Sequence, residues 1–444
     1  MNTSLNQNFN AKKLITFALP SIIMMVFMSS YTIVDGIFIS RFVSSNALSS
    51  VNIVYPAIGL VVAIGTMIST GGNAIISNFL GQERPNQARK YMTQFIIIGL
   101  IFSFTMIMIV FLFLTPICKM LGATKVLLAD CKTYLKILIL FTPADMLQII
   151  YQSFFVTAGK PKLGLFLTIL AGIINALLDY ILIVPLHMGV AGGAIATGMG
   201  QLIPAIIGTI FFLKPHTDLY FTRFKFDLNI ILKAFYNGSS EMISQLSNSI
   251  ITFLFNIILI SLTGASGVAA ITILLYGQFL FNAFYMGLSI GVSPIIGFQY
   301  GAKQKERLRN TYHIIMKFTC LSSLIIVILS ILGSDAIVSI FTKDQNTYLL
   351  ASEGFRIFAI NFLFSGVNIL SSGLFTALSN GKVSAIISFS RTLLFIVICL
   401  LTLPYLLGVT GVWMAVPLAE LMTLLLTIYM HWKYFFRKSN QSYF

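Results

Sequence analysis

Residues 173–184 read IINALLDYILIV: ten apolar or aromatic residues, one amide and one carboxylate. A charged side chain at the centre of a bilayer costs at least ~2.5 to 3.5 kcal/mol. Either this stretch is not a membrane helix, or it is one whose acid, Asp179, has a task. The rest of the chain decides for the second reading.

Of 444 residues, 57% are hydrophobic and 9% charged, and the mean hydropathy is +0.92. An ordinary soluble domain is roughly 25% charged. Apolar runs recur along the whole chain, each long enough at ~1.5 Å per residue to cross ~30 Å of hydrocarbon. The chain therefore reads as an all-α integral membrane protein. Twelve spans are expected, at 14–40, 48–80, 91–115, 131–157, 162–185, 190–213, 230–262, 267–301, 311–335, 351–379, 382–404 and 409–433. The polar N-terminus, ending at Lys12 and Lys13, is followed by a run without a small-residue cleavage site. It reads as a retained first span rather than a cleaved signal.

Most Lys and Arg, among them Lys160, Lys162, Lys303, Lys305, Arg307 and Arg309, fall on one side of such a topology. Basic loops stay inside, so both termini are expected in the cytoplasm and the protein in the plasma membrane as a multi-pass monomer. The net charge of +15 then marks topology and contact with anionic membrane lipid, not nucleic acid. Cys118 and Cys131 flank an outer loop, and whether they pair is open.

The two halves repeat. LGQERPNQARK (80–90) follows the second span and YGAKQKERLRN (300–310) the eighth, so Gly81 meets Gly301 and Arg89 meets Arg309. TAGKPK (157–162) matches LSNGKVS (378–384), and MGVAGG (188–193) matches LGVTGV (407–412). Six spans return the chain to its starting side. The expected architecture is therefore two parallel six-helix bundles, 1–213 and 230–444, related by a pseudo-twofold and joined by a cytoplasmic linker at 214–229. Gly81 and Gly301 are read as residues that end helices.

Polar residues inside the spans are the functional candidates. Helix rise puts Asp35, Asn175, Asp179 and Thr197 within roughly 15 Å of the outer boundary, in one layer. Asn175 and Asp179 are four apart and share a helical face. Two carboxylates, an amide and a hydroxyl supply hard oxygen ligands for Na⁺ and serve equally to carry a proton. Structural hydrogen bonding between helices is the plainer alternative.

The second half has no copy of this layer. It carries Glu241, Arg391 and Glu420, and Arg391 near mid-membrane needs a counter-ion that Glu420 or Glu241 can supply. Asp145, after Pro143, is read as facing a cavity with Gln148 and Gln152, or as a locally bonded acid at a helix break. Pro20 allows the first span to bend. Met24, Met25 and Met28 read as lipid-facing packing or as the lining of a pliable pocket.

With its twelve spans, its Gly81 and Gly301 corners and the runs AGKPK, NALLDYIL and GVAGGAIAT, the chain resembles the multidrug and toxic compound extrusion (MATE) family over nearly its whole length. The resemblance implies an antiporter, not an enzyme, that expels small amphiphilic, often cationic compounds against inward H⁺ or Na⁺, with no cofactor. It places the cation-coupling site at Asp35, Asn175, Asp179 and Thr197, as in the branch whose site lies in the N-terminal bundle, and a hinge at Pro20. The nearest rival is a lipid-linked oligosaccharide flippase, which often lines its cavity with several basic residues. A membrane enzyme is the remoter one, since His187, His216, His313 and His431 are dispersed without metal-ligand spacing.

Overall fold

The computed structural model describes residues 5–43, 45–215, 218–342, 344–437 and 443; the side chains of residues 32–37, 39–41, 45, 46, 48 and 249 lie outside the description. Among the described residues there is no strand. In chain order the helices are α1 (Ala11–Phe42), α2 (Ser45–Gly81), α3 (Pro85–Met120), α4 (Leu128–Leu140), α5 (Thr142–Thr157), α6 (Pro161–Ile183), α7 (Gly189–Leu213) and α8 (Leu228–Thr263). There follow α9 (Ala265–Gly301), α10 (Lys305–Leu332), α11 (Ser334–Phe341), α12 (Gln345–Phe358), α13 (Phe362–Ala377), α14 (Gly381–Phe389), α15 (Phe395–Leu407) and α16 (Val409–His431). Among the described residues, eleven stretches are long and apolar enough to cross a membrane, and the bent pair α4–α5 makes a twelfth.

The outward face is apolar, unlike that of a soluble protein, and the apolar interior also holds buried polar residues. Tyr405 (92%), Leu332 (79%) and Leu112 (69%) are exposed, while Asn361, Asn368, Ser371, Thr423 and Thr427 are fully buried. In hydrocarbon, apolar side chains lose nothing by facing outward, and hydroxyls and amides must find partners between helices. Met24 is 1% exposed and its sulfur lies 3.8 Å from the position of a Cβ at Gly164 on α6. It packs inside the protein, not against lipid.

The fourth span breaks by 54° between α4 and α5. Pro143 has no N–H for the carbonyl of Ile139, and its ring excludes a regular helix there. The hydroxyl of Thr142 donates to that carbonyl instead, at 2.7 Å, so it keeps a partner at the bend.

The repeat is visible in the backbone. Four turns at the basic end of the bundle close alike: Arg84 N–H to Phe79 O (3.0 Å), Lys160 to Phe155 (2.7 Å), Gln304 to Gln299 (3.0 Å) and Asn380 to Phe375 (2.8 Å). Each holds one left-handed residue, respectively Glu83, Gly159, Lys303 and Ser379. These are paired Schellman motifs. Gly81 and Gly301 end α2 and α9 as expected, and the left-handed position falls two residues later in both turns.

Close approach explains those glycines. A Cβ on Gly81 would collide with the carbonyl of Phe298 on α9, and one on Gly301 with the carbonyl of Asn78 on α2. Gly71 and Gly238 repeat the arrangement between α2 and α8, against Ala234 O and Met67 O. Further along, Gly287 and Gly291 of α9 lie on Ile22 and Ala18 of α1. The sequence halves thus meet backbone to backbone near the end of the bundle that carries the basic loops.

Candidate functional site: a buried polar layer among α1, α5, α6 and α7

The face of α6 is divided by its sequence. Ile173, Leu177 and Ile181 are 51%, 55% and 37% exposed, whereas Asn175 and Asp179 are 5% and 1% exposed. The amide and the acid therefore point into the protein, one turn apart, while the aliphatic residues two positions from each point out.

α7 runs back along α6. Gly192 packs on Leu182 and Gly200 on Asn175, so the contact on α6 retreats as α7 advances. That antiparallel register brings Thr197 level with the turn between Asn175 and Asp179. The hydroxyl of Thr197 and the amide nitrogen of Asn175 are both buried and without a hydrogen-bond partner among the described residues.

α1 lies on α6 and runs parallel to it. Met24 reaches Gly164, and Phe27 and Tyr31 reach Gly172. Carried on, the same offset puts the backbone turn of Asp35 beside that of Asp179. The side chain of Asp35 lies outside the described residues. Pro20, buried within α1, sits between the contacts of Ala18 and Ile22 with α9.

α5 supplies a second polar row. Asp145, 8% exposed, accepts from Gln201 Nε2 of α7 at 3.0 Å. Gln148, buried one turn on, has no partner for its Oε1 among the described residues. Gln152 donates to Thr168 of α6 at 3.4 Å and approaches the sulfur of Met28 at 3.9 Å. So Asp145 stands beside the helix break and is bonded to a partner on another helix, in a row with Gln148 and Gln152. Gln201 was missed in the sequence, although it lies four residues from Thr197.

The candidates of the second half form a separate cluster. Arg391 sits in a π-helical segment at 390–394 between α14 and α15. Its Nη1 meets Glu420 Oε1 of α16 at 3.3 Å. Asn368 of α13 holds the other carboxylate oxygen at 2.7 Å and is itself fixed by Thr427 at 2.9 Å. Glu241, on α8, is within electrostatic reach of the same guanidinium. Farther along α16, His431 joins Tyr312 and Ser371, each at 2.8 Å. Arg391 Nε has no hydrogen-bond partner among the described residues.

Cys118 and Cys131 are free, and the Cys131 thiol donates to Ser50 O at 3.6 Å. No group of three or more His, Cys, Asp and Glu suited to a metal occurs among the described residues. The layer around Asp179 offers instead carboxylate, amide and hydroxyl oxygens, a donor set that fits a hard monovalent cation or a proton as cargo.

The family model MatE matches residues 20–181 and 242–401. The multidrug export protein MepA of Staphylococcus haemolyticus (strain JCSC1435) is 25% identical over 422 residues, covering 92% of this chain and 90% of that protein. A multidrug resistance MATE family transporter of the MOP superfamily, solved in an outward-facing conformation, superposes with a TM-score of 0.90 at 21% identity, over 95% of each chain. A MATE protein solved in a straight conformation superposes with a TM-score of 0.89 at 21% identity, over 95% of this chain and 96% of that one.

Proposed function

This chain belongs to the MATE family, a family of membrane exporters and not of enzymes, and from that premise we propose that it is a cation-coupled antiporter for small amphiphilic, often cationic compounds. The carrying observation is Asp179: a carboxylate 1% exposed on the inner face of an otherwise aliphatic helix, one turn from Asn175. An ionisable residue held inside a membrane span marks an ion or proton pathway by default.

In this reading Asp35, Asn175, Asp179 and Thr197 bind the coupling ion, H⁺ or Na⁺, as members of the branch with its site in the N-terminal bundle. Residues 1–213 and 230–444 are the two bundles that rock against each other, with 214–229 as the link. Both termini and the basic loops lie in the cytoplasm of a plasma-membrane monomer. The glycine contacts at that end then seal the cytoplasmic entrance, leaving the path open to the outside. Ion binding changes how α1 packs on α6, Pro20 gives α1 a place to bend, and the narrowed cavity releases its substrate outward.

A flippase for pyrophosphate-linked sugars needs free cationic charge along its path. Arg391 is engaged by Glu420, which favours drug export. Proteoliposome efflux of a fluorescent organic cation, driven separately by a pH and a Na⁺ gradient, tests the proposal. Uptake or efflux coupled to either gradient supports it, and transport indifferent to both refutes it.

A further inference from the structure

Ahead of α1, residues 5–10 lie across the second half of the chain. Leu5 and Phe9 are 2% and 4% exposed, so the segment is packed down rather than trailing in solvent. Asn6 Oδ1 accepts from Arg307 Nη1 at 3.2 Å and from Gln304 Nε2 at 3.4 Å, and Asn310 Nδ2 donates to Phe9 O at 3.2 Å. All three donors stand at the start of α10.

The internal repeat gives this segment a counterpart. Asn10 caps α1 by accepting from the Lys13 N–H at 2.9 Å, and Asp227 caps α8 by accepting from the Ile230 N–H at 3.3 Å. The stretch leading into Asp227 lies on α3 of the first half. There Arg89 Nε donates to Asp218 O at 2.9 Å, the Thr222 N–H to Thr93 Oγ1 at 3.1 Å and Gln94 Nε2 to Asp227 O at 2.9 Å. Behind each lead-in, the helix it opens leans on the opposite half as well: α1 through Ala18 and Ile22 on α9, α8 through Ala234 and Gly238 on α2. Each half thus holds the third span of the other, and the two arms form one reciprocal clasp at the basic end.

The arms are unequal. The bonds of the 218–227 arm measure 2.9 to 3.1 Å and the Arg89 guanidinium also covers Tyr220, whereas those of the 5–10 arm measure 3.2 to 3.4 Å. Longer hydrogen bonds are weaker, so the 5–10 arm yields first.

We propose that residues 5–10 are a latch, which holds the halves together at the basic end and undocks from α10 when that end opens. This rests on the reading that the halves rock against each other during transport. A contact made in only one of two states biases their equilibrium by its own free energy.

The test uses the full-length protein with its four cysteines replaced by alanine. Nitroxides on Lys162→Cys and Lys382→Cys, exposed positions at the starts of α6 and α14, report the width of the basic end by pulsed electron–electron double resonance. Asn6→Ala/Phe9→Ala strips the latch and Arg307→Ala/Asn310→Ala strips its seat, so release is approached from both sides. Each variant should enlarge a longer-distance population and raise the open-to-closed ratio roughly tenfold, as loss of two hydrogen bonds implies. Distances are read without substrate or ion gradient. An unshifted distribution beside gradient-coupled efflux therefore sinks the latch alone, and a shifted one beside uncoupled transport sinks the export reading alone. A shift in both variants supports the latch. A distribution unchanged in either, including one accompanied by a lower melting temperature as a merely structural contact would give, overturns it.

Discussion

Gly81 and Gly301 are reciprocal: each presses its backbone onto the opposite helix where the other one ends, Gly81 on the carbonyl of Phe298 and Gly301 on that of Asn78. Neither helix can move away from the other at this end without losing both contacts. Gly81→Val should therefore force the halves apart here. Overpacking costs about 1–3 kcal/mol, which is a shift of roughly 5- to 150-fold in a two-state equilibrium. Labelling of a cysteine placed at Gln82 should rise by a factor in that range, and an unchanged labelling rate would remove these glycines from the gate.

Arg391 and Glu420 make a partly buried ion pair whose acid is also held by Asn368. Arg391→Ala leaves a buried carboxylate uncompensated, a loss of about 3–5 kcal/mol, while Arg391→Ala with Glu420→Gln should be milder. Thermal unfolding in detergent measures the cycle. Strictly additive losses would mean that the pair contributes nothing as a pair.

Thr197 has a buried hydroxyl without a partner among the described residues, level with Asn175 and Asp179. Thr197→Val keeps the shape and removes one oxygen ligand. If Na⁺ is the coupling ion, half-maximal drive should need several-fold more Na⁺, equivalent to about 1 kcal/mol. Under proton coupling the same variant should retain near wild-type transport. Loss of all transport in a folded Thr197→Val would contradict both.

The spans and the repeat were legible because run length and loop chemistry are local properties of a sequence. What was not legible depended on partners distant along the chain. Gly81 ends α2 as its sequence suggests, but its close approach to Phe298 shows only once the two helices are brought together. Asn368 is unremarkable until Glu420, fifty-two residues on, accepts from its amide. Gln201 becomes part of the Asp145 environment only through the register of α7 on α5. The break at Thr142 had a local signal in Pro143, but its satisfaction by the Thr142 hydroxyl was visible only in three dimensions. Asn175 and Asp179 were recognisable as one face from their spacing, and the exposure of Ile173 and Leu177 on the other face is the matching half of that pattern.

The central claim is that Asp179 exchanges a cation for the drug, and equilibrium binding of a fluorescent organic cation to purified protein tests it most directly. The drug favours the cation-free carboxylate, so acid, which loads protons, or added Na⁺ must weaken drug binding. By linkage the cation must be weakened by the drug to the same factor. Wild-type affinity should fall as pH drops or as Na⁺ rises. Asp179→Asn, which cannot be neutralised further, should bind with one affinity throughout. A wild-type affinity independent of both pH and Na⁺, or a full dependence retained in Asp179→Asn, would contradict the account.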